Sequence, residues 1–362
     1  MPSNVQTFHP EPLFSGSAHD IYGSSQLKRP DKTMHISLLE ILACPKCAND
    51  AQLKLHNMDG ESDIVNDGAL SCTNCAHEYP IRNGIPRFVD QADDYCGNFG
   101  FQWQKWKKIQ IDRLSGHHLS ETRFFSDTDW DREWLKDRLI LDAGCGAGRF
   151  TDIALSAGAR VVAIDLSDAI DACYETTKIH GDRIQCIQAS LFKLPFRKGV
   201  FDGVYCIGVI QHTPDPEAVI TGLPQHVRPG GKVAYNFYEE GLWRRLQTPK
   251  YLLRLVTPHL PIGLTLGLSK FLVACLFWLT SLLAPIRKIR ILNHFIPICS
   301  VHDPALSREQ QYIWTLLDTF DWYGARYEKR QHHKRVAELM RSVNLEGVES
   351  QAGLARGTVS KN

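Results

Sequence analysis

Residues 141–150 read Leu-Asp-Ala-Gly-Cys-Gly-Ala-Gly-Arg-Phe, and this stretch decides the fold. An apolar segment leads into three glycines at alternate positions, and a second apolar segment, Val161–Asp165, ends on a carboxylate. The separation of Gly144 and Asp165 along the chain is that of one β-α-β unit, which presents backbone N–H groups and an acidic side chain to a nucleoside. Glycine suits such a bend because a Cβ there would collide with the ligand. The stretch therefore predicts a nucleoside site at the carboxyl ends of two parallel strands.

The spacing of the glycines indicates which nucleoside is bound. Dinucleotide folds use Gly-x-Gly-x-x-Gly to set a helix N-terminus on a pyrophosphate. Here Gly144, Gly146 and Gly148 follow a Gly-x-Gly-x-Gly pattern instead. Asp142 would repel a pyrophosphate but suits the ammonium group of a methionine moiety. The pattern favours S-adenosylmethionine over NAD, and a glycine-rich turn without a ligand is the alternative.

On these residues the chain resembles the class I S-adenosylmethionine-dependent methyltransferases, and among them the type 11 enzymes related to the ubiquinone/menaquinone-biosynthesis methyltransferases. The resemblance implies an α/β fold, a Rossmann-like class I methyltransferase sheet with helices on both faces. We expect an N-terminal zinc-ribbon-like module and a helical hydrophobic cap insertion beside this core. The apolar runs predict strands at 138–142, 160–165, 184–189, 201–207 and 231–237, with a Gly-Gly turn at 230–231 into the last.

The resemblance also implies where the cofactor binds. Asp142 would lie near the methionine moiety, Asp165 would accept hydrogen bonds from the ribose diol, and Leu166 would pack on the adenine. Ser190 stands where relatives usually carry an Asp that accepts from the adenine amino group. The predicted cofactor-binding set is Asp142, Gly144, Gly146, Gly148, Asp165, Leu166, Ser190, Leu191 and Ile207.

A histidine follows the fourth predicted strand. Residues 208–216 match the family's Gly-Val-Leu-His-His-Thr-Pro-Asp-Pro pattern, with Gln211 in place of its first His. The match puts His212 close to the path of the methyl group, where it would be the catalytic base for a protonated nucleophile. A structural histidine that holds the Thr-Pro-Asp-Pro turn is an equal alternative.

A second polar cluster lies at 321–327 and resembles an element between the cap and the last helix of similar enzymes. Tyr323, Arg326 and His332 are the predicted substrate-binding residues, suited to an acidic or hydroxylated acceptor. The alternative is a solvated loop anchored by Trp322.

Four cysteines have the spacing of a metal site. Cys44-Pro-Lys-Cys47 and Cys72-Thr-Asn-Cys75 are two Cys-x-x-Cys knuckles, which together offer four thiolates to one tetrahedral ion. They predict a structural Zn²⁺ bound by Cys44, Cys47, Cys72 and Cys75, and a redox pair is the alternative. The run at 79–86 resembles the small zinc-ribbon protein that activates tRNA and translation-factor methyltransferases. That resemblance implies a stabilising role without chemistry.

Composition sets the class of protein. Of 362 residues, 43% are apolar and 22% charged, and the formal net charge is +1, so we expect no nucleic-acid partner. Eleven scattered cysteines and the absence of a signal-peptide pattern predict a cytoplasmic protein. The predicted regions are a disordered leader (1–34), a zinc-ribbon-like domain (35–90), a helical pre-core segment (91–137), the cofactor-binding core (138–238), an apolar basic cap (239–302) and the C-terminal completion of the fold (303–362).

The cap has an unusual composition. Between Gly241 and His302 the sequence has no Asp or Glu but eight Lys and Arg residues. Residues 271–284 are uncharged but too short to span a bilayer, and extension back to Ile262 brings in Lys270. The pattern predicts a peripheral membrane contact through 241–292, at the inner face of a membrane. A cap packed on the active site or on a second subunit is the main alternative, and a transmembrane helix is a third.

These residues predict methyl transfer to an O, N or C nucleophile of a small or lipid-linked metabolite. A tRNA or protein methyltransferase is one rival, although the fourth strand is followed by 207–210, Ile-Gly-Val-Ile, rather than the Asn/Asp-Pro-Pro-Tyr/Phe tetrapeptide of that class. A catalytically inactive S-adenosylmethionine-binding module is the other, because Ser190 and Gln211 depart from the family pattern. The sequence predicts no particular oligomeric state.

Overall fold

A computed structural model describes residues 34–47, 51–57, 63–89, 97–241, 247–286 and 288–361. The predicted leader therefore lies outside the described residues, except for its last residue. That residue, Met34, is fully buried and begins a short strand.

The described residues contain a two-stranded sheet and an eleven-stranded sheet. The strands are β1 (Met34–His35), β2 (Leu53–Asn57), β3 (Ile64–Val65), β4 (Gly68–Cys72), β5 (Glu78–Arg82), β6 (Ile85–Phe88), β7 (Leu139–Ala143), β8 (Arg160–Asp165), β9 (Ile184–Ala189), β10 (Phe201–Ile207), β11 (Val227–Asn236), β12 (Leu345–Gln351) and β13 (Leu354–Val359). The large sheet has the order β12-β13-β11-β10-β7-β8-β9-β6-β5-β4-β2.

The centre of the large sheet is a parallel α/β core. Strands β9, β8, β7, β10 and β11 run parallel, and the terminal hairpin β12–β13 adds to β11 in antiparallel fashion. Alternate residues of each strand enter different cores, as Leu141 and Val162 do on one face and Ile140 and Val161 on the other. A sheet buried on both faces needs such continuous apolar strands. The predicted α/β class with helices on both faces is confirmed.

The fifth core strand differs from the prediction. The Gly230-Gly231 pair is no turn, because β11 begins at Val227 and continues through it. Gly230 has φ +78°, and a Cβ on Gly231 would lie 2.5 Å from a Val227 methyl carbon. The pairing register between β10 and β11 shifts beside these glycines. The glycines therefore shape an irregularity inside the strand.

Helices cover both faces of the core. They are α1 (Gly97–Trp106), α2 (Asp112–Ser115), α3 (Leu119–Thr128), α4 (Arg132–Leu135), α5 (Arg149–Ser156), α6 (Ala169–Thr177), α7 (Pro216–Gly222), α8 (Thr248–Arg254), α9 (Ile262–Leu283), α10 (Arg308–Gly324) and α11 (His333–Ser342). Short 3₁₀ segments occupy Ile36–Glu40, Lys178–Arg183, Ile210–His212, Leu223–His226, Thr257–His259 and Arg290–Phe295. A capping box formed by Ser307 and Gln310 opens α10.

The cysteine module is joined to the core through the sheet itself. Strand β6 pairs in parallel with β9, so the module extends the core sheet at that edge. Arg87 of β6 donates to both carboxylate oxygens of Asp171 at 3.0 Å and to Oε1 of Gln188 at 2.9 Å. Nε2 of Gln188 donates in turn to the carbonyl of Leu166, at the tip of β8. A chain of polar contacts thus links the module to the loop that follows Asp165.

The cap is dominated by α9, which packs against α10. Val273 and Phe277 of α9 join Ile298 and Leu316 in a small separate core. By length and composition alone α9 could cross a membrane, with a mean hydropathy of 1.9 over its most apolar 18-residue window, of which 22% is buried.

Candidate active site

The glycine bend after β7 has the backbone that its sequence requires. Gly144 and Gly146 have φ of +91° and +53°, a left-handed region that L-residues rarely adopt. A Cβ on Gly144 would lie 2.6 Å from a methyl carbon of Val209, and one on Gly146 would lie 3.1 Å from the Trp103 indole. Glycine is therefore needed here for close packing as well as for conformation.

Asp165 closes this bend from the tip of β8. One carboxylate oxygen accepts from the Gly146 N–H at 3.0 Å, and the other accepts from the Ser167 N–H at 2.9 Å and its Oγ at 2.7 Å. Burial raises the pKa of Asp165, and these donors oppose that shift. The carboxylate lines a cavity together with Leu166, Leu191 and Ile207. Gly144 and Gly146 line the same cavity. Together with the four residues just named, they make six predicted cofactor residues that share one wall.

Three predicted cofactor residues lie behind this wall rather than on it. Asp142 accepts from Thr151 Oγ1 at 2.5 Å, and burial raises its pKa to about 8. Gly148 begins α5 at φ +87°, where a Cβ would lie 2.9 Å from Thr176 Oγ1. Ser190 is buried and its Oγ accepts from a backbone N–H two residues on. Asp142, Gly148 and Ser190 are used in packing the bend and its helices and do not line the cavity themselves, so their contact with the cofactor stays a prediction.

The cavity has a volume of about 1180 Å³ and extends beyond the strand ends. Its far end is walled by the cap, the following loop and α10, through residues that include Gln247, Lys250, Ala284, Asn293, His294, Cys299, His302, Trp314, Asp318, Asp321 and Trp322. We call this part the far chamber. Arg123 and Arg149 lie on the wall as well, and Arg149 packs between the rings of Phe150 and Trp314, 4.9 and 5.0 Å from their centroids.

His212 lies on the cavity wall. Its Nδ1 contacts the carbonyl oxygen of Tyr327 at 3.1 Å, so Nδ1 carries the proton and donates it. Burial, with a smaller contribution from Arg254, lowers the pKa of His212 to about 4. The ring is therefore neutral at pH 7 and a weak base. Its bond to Tyr327 ties the turn after β10 to the segment that follows α10.

The far chamber contains two carboxylates that are not among the residues predicted from the sequence. Asp318 and Asp321 are one helical turn apart on α10 and both line the cavity. Burial raises the pKa of each to about 7, and the charge of Asp321 adds to the shift at Asp318. A carboxylate with a pKa near the working pH is suited to general base catalysis. In the sequence, these carboxylates can be recognised only as two acids three residues apart in an otherwise apolar helical run.

Several groups of the far chamber lack partners within the described part of the chain. Asp321 Oδ1, Trp322 Nε1 and Asn293 Oδ1 are buried without a hydrogen-bond partner there. Lys250 is buried too, with Nζ 5.6 Å from the Trp322 ring centroid and no carboxylate paired to it among the described residues. Unpaired buried polar groups are costly, so such a cluster on a cavity wall indicates a ligand site.

The predicted substrate residues are not on this wall. The Tyr323 hydroxyl donates to the Pro297 carbonyl at 2.8 Å, the Arg326 side chain is exposed, and His332 caps α11 through the Lys334 N–H. The residues of α10 that line the cavity are those just before Tyr323, among them Asp318, Asp321 and Trp322. Glu239, His332 and His333 group their ligand atoms within 4.8 Å and could hold a metal ion at the cavity edge.

Comparison with known proteins identifies the two parts of the chain. Residues 141–235 match the family described as a methyltransferase domain, and residues 35–84 match the Trm112p-like proteins. This chain joins a class I methyltransferase domain to a Trm112-like module.

Relatives of the methyltransferase domain carry different names. The ubiquinone biosynthesis O-methyltransferase of Aromatoleum aromaticum is 34% identical over 115 residues, 30% of this chain and 48% of that enzyme. The tRNA U34 carboxymethyltransferase of Cellvibrio japonicus is 35% identical over 130 residues, 33% of this chain and 40% of that protein. A solved complex of the Haloferax volcanii Trm112 methyltransferase activator and a methyltransferase matches 73% of this chain and 97% of that chain, with a TM-score of 0.41 and 13% identity. The chain thus spans less than half of either named relative.

The methyltransferase domain fits S-adenosylmethionine. Its glycine bend excludes any Cβ, Asp165 lies at the cavity wall, and the Gln102 amide nitrogen beside the bend is buried without a partner among the described residues. The family match supports S-adenosylmethionine as the cofactor. The residues that would hold it are Gly144, Gly146, Asp165, Leu166 and Leu191.

The Trm112-like module fits zinc. The Cys44 and Cys75 sulfurs are 3.8 Å apart and those of Cys47 and Cys72 are 3.6 Å apart. A tetrahedral site with Zn–S bonds of about 2.3 Å has sulfurs ~3.8 Å from one another. Backbone N–H groups of Asn74 and Cys75 donate to the Cys72 sulfur, each at 3.4 Å. The predicted four-cysteine structural zinc site is therefore supported by its ligand geometry and its outer hydrogen bonds.

Proposed function

We propose that this protein transfers a methyl group from S-adenosylmethionine to a hydroxyl oxygen of a small or lipid-linked metabolite. The observation that carries the proposal is the cavity, which joins the glycine bend and Asp165 to the far chamber. Its volume of about 1180 Å³ exceeds the ~300–1,000 Å³ of most single-ligand pockets. It has room for a methyl donor and an acceptor together.

At the donor end, the residues bind and orient the cofactor. Gly144 and Gly146 allow the backbone to approach it, Asp165 accepts hydrogen bonds from the ribose diol, and Leu166 packs against the adenine. Arg149 gives the methionine carboxylate a cationic partner. When bound, S-adenosylmethionine supplies an electrophilic methyl group on a sulfonium.

In the far chamber, Asp321 takes the proton of the acceptor hydroxyl. Its pKa of about 7 suits this step near neutral pH, whereas His212, with a pKa of about 4, is the poorer base. Lys250 stabilises the negative charge that develops on the acceptor oxygen, since its ammonium group has no carboxylate paired to it in the described chain. Trp322 provides an aromatic surface beside both groups. His212 keeps the structural role of joining two loops.

A metabolite is favoured over RNA as the acceptor because the cap and α10 wall the far chamber. The name of the Aromatoleum relative supports an oxygen nucleophile and a small molecule. The Trm112-like match and the tRNA-modifying relative support the alternative, an RNA substrate. Both substrate classes use the same donor end, so only the acceptor distinguishes them.

Two measurements test the proposal. Isothermal calorimetry with S-adenosylhomocysteine should give clear heat for the wild type and for Gly222→Ala, which adds a Cβ in open space, but none for Gly146→Arg. Absence of heat from folded wild-type protein would refute the donor site.

The acceptor is tested with methyl-labelled S-adenosylmethionine and a cell extract separated into lipid, polar-metabolite and RNA fractions. We expect label in a lipid or metabolite product, with mass spectrometry placing the added methyl on oxygen. Label confined to RNA would replace the metabolite by a nucleic acid.

A further inference from the structure

The helix α9 is apolar on its outer side as well as on its inner side. Its buried positions are Thr265, Ser269, Val273, Phe277 and Thr280, whereas Phe271, Trp278 and Leu282 on its outer side are 64%, 56% and 60% exposed. The hydroxyls of Ser269 and Thr280 are satisfied by carbonyls of the same helix, at 2.8 and 2.9 Å. A helix on the surface of a water-soluble protein carries polar side chains on its outer side instead.

Exposed apolar side chains are concentrated around this helix. Of the seventeen large hydrophobic residues that are exposed among the described residues, twelve lie between 252 and 295. Those on α9 are Leu264, Phe271, Trp278 and Leu282, which share one side of the helix because they are spaced by seven, seven and four residues. We call this side the outer face of α9. A large exposed apolar patch marks a binding surface.

We propose that the outer face of α9 docks on an anionic lipid surface, with the helix lying in the plane of the interface. The charge of the segment supports lipid as the occupant. Residues 241–302 contain eight basic residues and no acidic one. Two of the eight face inward, since Lys250 is buried and Arg254 is paired with Glu328. Lys270 and Lys288 are exposed among them, and Lys270 is adjacent to Phe271 at the edge of the outer face. An apolar face with a basic border is the pattern of an interfacial helix on anionic headgroups.

A second copy of the chain fits this surface less well. Two outer faces in a symmetric dimer would bring Lys270 and Lys288 of each copy together, and residues 241–302 contain no carboxylate to pair with them. A membrane-spanning orientation is also disfavoured. The inner side of α9 contacts α10, which carries Asp318 and Asp321, and His302 contacts Thr280 at 2.9 Å. Spanning would carry these polar groups toward the hydrocarbon.

The site of docking matters for the acceptor, a consequence that rests on the proposed function. Ala284, which caps α9, and Asn293 and His294 of the Arg290–Phe295 segment form part of the cavity wall. A lipid-linked acceptor held in the membrane would therefore meet the far chamber next to the docked helix.

The test is vesicle co-sedimentation of the full chain. We expect binding to phosphatidylcholine vesicles that contain about 30% phosphatidylglycerol, and weak binding to phosphatidylcholine alone. The double variant F271E/W278E should lose at least about tenfold in affinity, and K270Q about fivefold at low salt. The matched control is I179E, which places a charge on another exposed apolar side chain, 61% accessible, outside the cap. It should bind vesicles like the wild type.

Calorimetry with S-adenosylhomocysteine separates this proposal from the proposed function. Normal heat together with equal vesicle binding by F271E/W278E and the wild type would overturn the docking proposal and leave the methyltransferase proposal standing. Vesicle binding that depends on Phe271 and Trp278, without that heat, would do the reverse. Retention of the bound protein after alkaline carbonate extraction would indicate a spanning helix and overturn docking at the surface. Docking would also be overturned if the wild type does not bind vesicles and sediments as a dimer that F271E/W278E dissociates.

Discussion

The two ends of the cavity are built in opposite ways. At the donor end, Asp165 accepts three hydrogen bonds from the protein, and the glycine bend is fixed by packing against Val209 and Trp103. In the far chamber, Asp321 Oδ1 and Trp322 Nε1 have no partner within the described residues. The backbone and the carboxylate of the donor end are thus fixed by the protein itself, although the Gln102 amide nitrogen beside them has no partner among the described residues. In the far chamber, the acceptor is needed to satisfy the polar side chains.

Removal of the carboxylate at the donor end should have the largest effect. Asp165→Ala deletes the acceptor of the Gly146 and Ser167 N–H groups together with the proposed ribose contacts. We expect S-adenosylhomocysteine to bind about 10³-fold more weakly, since hydrogen bonds to a charged group contribute ~1.5–3 kcal/mol each. Calorimetry measures the loss. Asp182→Ala, which removes an exposed carboxylate from Lys178–Arg183, is the control and should bind like the wild type. Wild-type affinity in Asp165→Ala would refute the ribose contact.

Neutralising Asp321 should slow the reaction without weakening cofactor binding, which distinguishes the far chamber from the donor end. Asp321→Asn is expected to lower kcat by about 10²-fold, the lower range for a general base, while the affinity for S-adenosylhomocysteine stays unchanged. In the wild type, kcat should rise with pH through about 7, because Asp321 must lose its proton to act. Steady-state rates between pH 5 and 9 check this. A profile that stays flat over this range would instead assign the base to His212, whose pKa of about 4 leaves it deprotonated throughout.

Loss of the chamber's cation should act on the acceptor alone. Lys250→Met keeps the length of the side chain and its packing on Trp322 but removes the charge, so kcat/KM for the acceptor should fall about 20-fold, within the range for a desolvated charge contact. Lys250→Arg should restore much of it. A change in the KM of S-adenosylmethionine of the same size would place Lys250 at the donor end.

The smallest effect is expected from a substitution in the Trm112-like module that weakens binding of the cofactor at the donor end. Arg87→Ala breaks the contacts to Asp171 and Gln188 that lead to the Leu166 carbonyl. The KM of S-adenosylmethionine should rise about fivefold, the cost of one modest positioning contact, with kcat little changed. Arg335→Ala, which removes an exposed ion pair with Glu217, is the matched control and should leave both constants unaltered.

This contrast also explains what the sequence could predict. The donor end depends on short-range pattern: strand, glycines, helix and the acid at the next strand tip all lie between 139 and 165. Residues of the far chamber come together from segments more than 60 positions apart, as Lys250 and Trp322 do. No short-range periodicity in the sequence indicates that they are neighbours. Tyr323 and Arg326 lie in or just after α10, but the phase of that helix turns Asp318 and Asp321 to the cavity, and sequence gives that phase only coarsely. The bond from Thr151 that holds Asp142 behind the bend likewise has no signature in the sequence.

The pairing of β6 with β9 protects an edge of the core sheet. A methyltransferase domain without its Trm112-like module would expose the unpaired N–H and C=O groups of β9 to other chains, and such an edge invites aggregation. Here the cover belongs to the same polypeptide, so every copy of the domain carries its own in a one-to-one ratio.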